Sequence, residues 1–206
     1  MINDKRVPII LVGGIPGVGK TSISGYIARE IGVNIVLSGD YIREAIRPIL
    51  PKENILHNSV YDAWKPFGAM TDETIVKGFL EQGKIVNRST VEIIRRAIAN
   101  GEPLIIETLY FIPDQIKEIL DRILCFYIDI PDRTIHTSRL NERQNYTHFG
   151  SPGQRLSENL DKYDLMKRES IRQCNLYRIS IFKNLNYIET RNQIIDHVKE
   201  RVKATW

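Results

Sequence analysis

At 206 residues, 42% apolar and 26% charged, the chain has material for one full hydrophobic core and not for two. No tract is biased enough to read as disordered or fibrous, and a formal charge of +4 is too modest to demand a polyanionic partner such as nucleic acid. Cys125 and Cys174 stand far apart with no His or Cys at ligand spacing, which excludes a disulfide scaffold and a structural zinc site and fits a reducing compartment.

The opening MINDKRVP is acidic and polar, and the apolar run after it is short and broken by glycines. Neither a signal peptide nor a membrane span is expected, so the default location is the cytoplasm. Residues 7–12 form a nearly continuous apolar run closed by Gly13-Gly14, as a buried parallel strand does. A helical period follows over 19–31, with Ile23, Ile27 and Ile31 on one face. Residues 34–37 read as a second strand, which Ser38-Gly39-Asp40 turns into a helix carrying Arg43 and Arg47.

A long, largely helical stretch is expected over 55–99, interrupted near Pro66–Gly68. The turn Asn100-Gly101-Glu102-Pro103 introduces a third strand at 104–107. A helix at 113–122 and a fourth strand at 123–130 come next, and Pro131-Asp132 opens another helix. The polar Gly/Ser/Pro segment at about 145–156 reads as a mobile loop. A helix over 157–183, a short strand at 186–189 and a last helix over 191–204 complete the expectation. Strands alternating with helices predict one α/β domain over 1–206, a parallel sheet between two helical layers.

Gly14-Ile15-Pro16-Gly17-Val18-Gly19-Lys20-Thr21 fits the whole phosphate-binding-loop pattern, with a strand before it and a helix after it. Glycines let successive N–H groups turn inward at phosphate oxygens, and the helix starting near Gly19 adds its positive end. Lys20 supplies a charge for the terminal phosphates, Thr21 a hydroxyl for Mg²⁺, and Ser22 closes the nucleotide-binding set. No lysine follows Asn or Thr, so the guanine-reading motif of regulatory GTPases is missing. Two acids end strands, Glu107 and Asp129; Glu107 takes the metal role, and Asp129 reads as a strand-end or cap residue.

Arg139 and Arg143, four residues apart, share a helix face. They read either as lid arginines closing on the transferred phosphoryl group or as a solvated basic face with Glu142. Their position beside the Gly/Ser/Pro loop favours the first, and Arg155 across that loop is a weaker third candidate. Asp40, directly after the second strand, reads equally as the group orienting an acceptor hydroxyl and as a helix N-cap. Arg43, Arg47, Lys65 and Arg88 concentrate positive charge between strands two and three, where an anionic acceptor would be held. His57, Tyr61 and Trp64 read chiefly as packing residues.

The segments LVGGIPGVGKTS, SGDYIREAIR, LHNSVYDAWK, KGFLEQGKIVNRSTVEIIRRAIANGE and LIIETLYFIP, in that order, resemble the archaeal 2-phosphoglycerate kinase group over about 7–135. The resemblance implies an adenylate-kinase-like P-loop fold with strand order 2-3-1-4-5, an acceptor-binding helical insertion at about 41–100 and a lid at about 136–158. It also implies ATP with Mg²⁺, and transfer to the hydroxyl of a phosphorylated hydroxy acid.

Longer members of the group carry an added N-terminal region, and read Glu-Gly-Val-His where this chain has Glu107-Thr108-Leu109-Tyr110. That change places Tyr110 at the acceptor edge. The compact build is similar to the mevalonate 3-phosphate 5-kinases of thermoacidophilic archaea. Mevalonate 3-phosphate is thus the first expected acceptor, in isoprenoid biosynthesis, and 2-phosphoglycerate the second. The residues alone support a phosphorylated anionic alcohol. Rival readings are an ATP-hydrolysing switch module and a kinase of nucleic-acid ends, the latter disfavoured by the lack of a basic stripe with interleaved aromatics. The expected partners are the small substrate and no membrane or nucleic acid, with room left for a homodimer.

Overall fold

The computed structural model describes residues 7–145, 150 and 153–205. Five parallel strands form its sheet: β1 (Ile9–Gly13), β2 (Ile35–Ser38), β3 (Leu104–Thr108), β4 (Leu124–Asp129) and β5 (Ser180–Lys183), in spatial order β2-β3-β1-β4-β5. This is the order the resemblance implied. β1, with the sequence IILVG, is buried along its whole length between β3 and β4, which is why it carries no polar side chain.

Among the described residues there are seven α-helices: α1 (Lys20–Ile31), α2 (Gly39–Ile46), α3 (Asp72–Asn100), α4 (Arg133–Glu142), α5 (Gln154–Ser157), α6 (Leu160–Leu176) and α7 (Tyr187–Thr205). α1 packs with α7, while α3 packs with α6 and with the 3₁₀ turns of Pro113–Arg122, an arrangement of two helical groups around one sheet. α1 ends where Gly32 adopts φ 71°, a left-handed cap. α3 begins at a reciprocal cap in which Thr71 and Thr74 bond each other's backbone N–H, a device stabilising a helix start by about 1 kcal/mol.

The structure differs from the sequence reading in three places. The stretch before α3 is not one helix but a strap of short 3₁₀ turns, Ile55–His57, Val60–Asp62 and Lys65–Phe67. It lies so close to α3 that a Cβ on Gly78 would stand 2.4 Å from the Ala63 carbonyl carbon. The helix expected over 157–183 stops at Leu176, because Arg178 turns back at φ 54° and the chain then pairs with Phe126–Asp129 as β5. The strand expected at 186–189 is instead the start of α7, where the Asn186 side chain accepts from the N–H groups of Ile188 and Glu189. Among the described residues no helix is long and apolar enough to cross a membrane.

Candidate active site

The loop between β1 and α1 opens into a cavity of about 1040 Å³ at the carboxyl edge of the sheet. Gly17 and Gly19 hold φ values of 85° and 95°, a left-handed backbone that residues with a Cβ avoid. Pro16, Gly17, Gly19, Lys20, Thr21 and Ser22 all line the cavity. Ile15 and Val18 instead send their side chains into the core, and the Gly14 N–H donates to the Thr108 carbonyl, 3.3 Å away, which anchors the loop to β3.

Lys20 Nζ donates to the Ile15 carbonyl at 3.2 Å and stands 3.9 Å from Glu107 Oε2. Thr21 Oγ1 donates to Glu107 Oε1 at 3.3 Å. One hydroxyl, one carboxylate and one ammonium therefore converge at the mouth of the loop. An all-oxygen pair that leaves most positions to water and phosphate suits Mg²⁺, and the positively charged, N–H-rich loop suits a triphosphate. The residues present thus fit both groups. Among the described residues, no cluster of three or more His, Cys, Asp or Glu could hold a different metal.

Asp40 also lines the cavity, exposed in the first turn of α2. The capping role belongs to Ser38, whose Oγ accepts from the Asp40 N–H at 3.2 Å, so the Asp40 carboxylate is left for other partners. Asp129, at the end of β4, faces Lys167 at 3.6 Å and is not among the cavity residues.

Arg43 lines the cavity, but its Nη2 donates to the carbonyls of Leu56 and Asn58 at 2.5 and 2.6 Å. Gln82 of α3 grips the same strap, donating to the Ile55 and Asn58 carbonyls, and accepts at Oε1 from the Tyr110 hydroxyl at 2.8 Å. Tyr110 is 2% exposed, stacked on Phe79, and burial pushes its hydroxyl pKa well up, so it stays neutral. The structure does not bring Arg47, Lys65 or Arg88 to the cavity. Arg47 pairs with Glu44, Lys65 pairs with Asp62, and Arg88 sits exposed on α3.

Arg139 and Arg143 both line the cavity. Arg139 Nη2 donates to the Leu185 carbonyl at 3.0 Å, so it sits against the loop between β5 and α7. Burial lowers both guanidinium pKa values from their ordinary range, although arginine keeps its charge throughout the working pH range. Arg155 reaches the cavity from α5 and lies 6.0 Å from the Tyr61 ring. The expected lid, 136–158, includes residues 146–149, 151 and 152, which lie outside the described residues.

Sequence reasoning missed Ser59, Tyr163, Asn184 and Tyr187 on the wall of the cavity, and His136 behind it. Asn184 could not have been found once its strand was placed too late in the chain. His136 had a weak signal, since it shares a helix face with Leu140 and lies three residues before Arg139.

A sequence profile described as an AAA domain matches residues 13–151. The mevalonate-3-phosphate 5-kinase of Thermoplasma acidophilum is 45% identical over 94% of this chain and 96% of its own length. The 2-phosphoglycerate kinase of Pyrococcus furiosus is 31% identical over 95% of this chain and 66% of its own length. Among solved structures, shikimate kinase from Bacteroides thetaiotaomicron superposes with a TM-score of 0.52 at 15% identity, over 95% of this chain and 98% of that one. The tunicamycin resistance protein of Deinococcus radiodurans gives 0.53 at 15% identity, over 96% of each chain. At that identity they support the fold alone. With its phosphate loop, its 2-3-1-4-5 sheet and a 45% identical relative along nearly its whole length, the chain belongs to the P-loop kinase family that includes mevalonate-3-phosphate 5-kinase and the 2-phosphoglycerate kinases.

Proposed function

We propose that this kinase transfers the γ-phosphoryl group of ATP to the primary hydroxyl of mevalonate 3-phosphate, giving mevalonate 3,5-bisphosphate and ADP. One observation carries the reading: a single cavity joins the Lys20–Thr21–Glu107 cluster to a wall bearing Asp40, Arg43, Arg143 and Arg155. The first half suits a nucleotide tail; the second suits an alcohol that already carries phosphate and carboxylate.

Lys20 and the loop amides would hold the triphosphate, and Thr21 and Glu107 would hold the Mg²⁺ shell. Mg²⁺ supplies charge neutralisation between the transferred and leaving phosphates. Asp40 orients the acceptor hydroxyl and receives its proton as the oxygen bonds to the γ-phosphorus and the bond to the β-phosphate oxygen breaks. Arg139, from α4, and Arg143, just past its end, face the charge that gathers on the transferred group. Because the transition state of such transfers is loose, holding both partners in line matters more than the basicity of Asp40.

The acceptor side also has an apolar component in Val60, Leu109, Tyr61, Tyr110 and Tyr163, which favours a methyl-bearing carbon skeleton over glycerate. The likeness to 2-phosphoglycerate kinases keeps that acid as the second candidate. Incubation with Mg-ATP and a panel of mevalonate 3-phosphate, 2-phosphoglycerate, mevalonate and mononucleotides, with ADP release followed, tests the reading. ADP release that depends on mevalonate 3-phosphate supports it; rapid release without any acceptor would point to an ATP-hydrolysing switch.

A further inference from the structure

Two buried side chains outside the sequence motif are fastened to the back of the phosphate loop. His136 of α4, 1% exposed, lies with Nε2 2.7 Å from the Pro16 carbonyl oxygen. Since a carbonyl only accepts, that nitrogen carries the hydrogen. Asn184, fully buried just after β5, donates from Nδ2 to the Val18 carbonyl at 2.9 Å. Both anchors are themselves fixed. The Asn184 N–H donates to the Asp129 carbonyl at 2.7 Å, continuing the β4–β5 pairing, and His136 sits one turn from Leu140, which packs against Gly17.

The consequence follows from peptide geometry. In a trans peptide the C=O and the N–H of the next residue point in opposite directions, and no cis peptide occurs among the described residues. Holding the Pro16 carbonyl toward α4 therefore turns the Gly17 N–H to the other side of the loop. Holding the Val18 carbonyl toward Asn184 does the same for the Gly19 N–H. Gly17 and Gly19 are the two loop glycines in the left-handed region near φ 90°, and both line the cavity. An unrestrained glycine flips its flanking peptides at little cost, so the loop's own sequence does not fix which way these amides face.

We propose that His136 and Asn184 are positioning residues that lock the Gly17 and Gly19 peptides with their N–H groups toward the bound phosphates. They act through the loop, by way of the Pro16 and Val18 carbonyls. The same contacts place α4, and with it Arg139 and Arg143, in a fixed relation to the loop, because Arg139 also holds the Leu185 carbonyl next to Asn184. This inference rests on the nucleotide half of the proposed function and not on the identity of the acceptor.

The test measures equilibrium binding of a non-hydrolysable ATP analogue with Mg²⁺ by calorimetry, alongside steady-state kinetics, for wild type, His136→Leu, His136→Gln and Asn184→Leu. The expected result is analogue binding weakened about tenfold in both Leu variants, the scale of one lost buried hydrogen bond, with the acceptor KM unchanged and His136→Gln within about threefold of wild type. Affinity within about twofold of wild type in both Leu variants overturns the proposal, a change too small for a lost buried hydrogen bond. So does a loss spread equally over nucleotide and acceptor that glutamine does not restore. If a Leu variant does not fold, the wild-type protein still decides: ¹⁵N spectra must show His136 as the Nε2–H tautomer, and the Nδ1–H form overturns the assignment. Wild type that binds no analogue contradicts the kinase reading itself, a separate outcome.

Discussion

Thr21 Oγ1 and Glu107 Oε1 lie 3.3 Å apart although 86 residues separate them in the chain. β1 and β3 are neighbours in the sheet, and their register sets Val12 opposite Glu107 and Gly13 opposite Thr108, which brings the end of β3 under the first turn of α1. This pair is the proposed metal seat. Glu107→Gln is expected to lower kcat by about a hundredfold and raise the Mg²⁺ concentration for half-maximal rate, while metal-free nucleotide binding changes little. A Mg²⁺ titration of initial rate checks it; an unchanged metal requirement would remove Glu107 from the site.

Lys20 and Asp40 line one cavity from the first turns of two different helices, α1 and α2, and their proposed roles differ, so their losses should differ in kind. Lys20→Ala is expected to abolish detectable transfer, by removing the ammonium at the loop mouth, at a cost of roughly 3 kcal/mol or more. Asp40→Asn should cut turnover far more than it weakens ATP. Kinetics with ATP and acceptor varied separately tell the two apart, and unchanged turnover in Asp40→Asn would take that residue out of the mechanism.

The sequence pattern puts Arg43 on the acceptor, and the structure makes it a brace of the strap that lines the cavity, on the side proposed for the acceptor. Arg43→Ala leaves the Leu56 carbonyl without this donor, a loss of about 1–3 kcal/mol in stability. The acceptor KM should rise while the ATP KM holds. Thermal unfolding and the two KM values check this; a change in ATP KM alone would contradict it.

The β1 strand, the phosphate loop and the Glu107 strand were legible because each is local: a buried apolar run, a glycine pattern, an acid at a strand end; the sheet order came only from the family resemblance. What escaped depends on contacts made far along the chain. β5 could not be read because Arg178 breaks the helix at positive φ without a glycine or proline, and only pairing with β4 makes Ser180–Lys183 a strand. Arg47 and Arg43 look alike on paper, four residues apart on one helix. Both pair with Glu44, and only the folded strap shows that Arg43 is held at the cavity by the Leu56 and Asn58 carbonyls while Arg47 is not among the residues lining it. His136 has no motif at all; its role comes from a contact 120 residues away.

His136 also gives a pH prediction. Burial is the main cause holding its pKa below the ordinary 6.5, with Lys167 adding to the effect and the Pro16 carbonyl, Asp164 and Asp129 opposing it. The unfolded chain takes up that proton first, so the contribution to stability is complete above the ordinary value and is lost as pH falls through the folded one. His197, lowered mainly by burial, acts in the same direction, so bulk unfolding alone does not assign the effect. An NMR titration of the His136 ring should give a midpoint below 6.5, and a midpoint above it contradicts the buried, neutral ring.

The most direct measurement of the central claim is the ³¹P spectrum of the product formed from mevalonate 3-phosphate and Mg-ATP. The account predicts a new phosphorus resonance split into a triplet by one CH₂ group, with the original 3-phosphate signal retained and kcat/KM at least about tenfold above that for 2-phosphoglycerate. Retained starting material with no new ester, or a faster reaction with 2-phosphoglycerate, would contradict it.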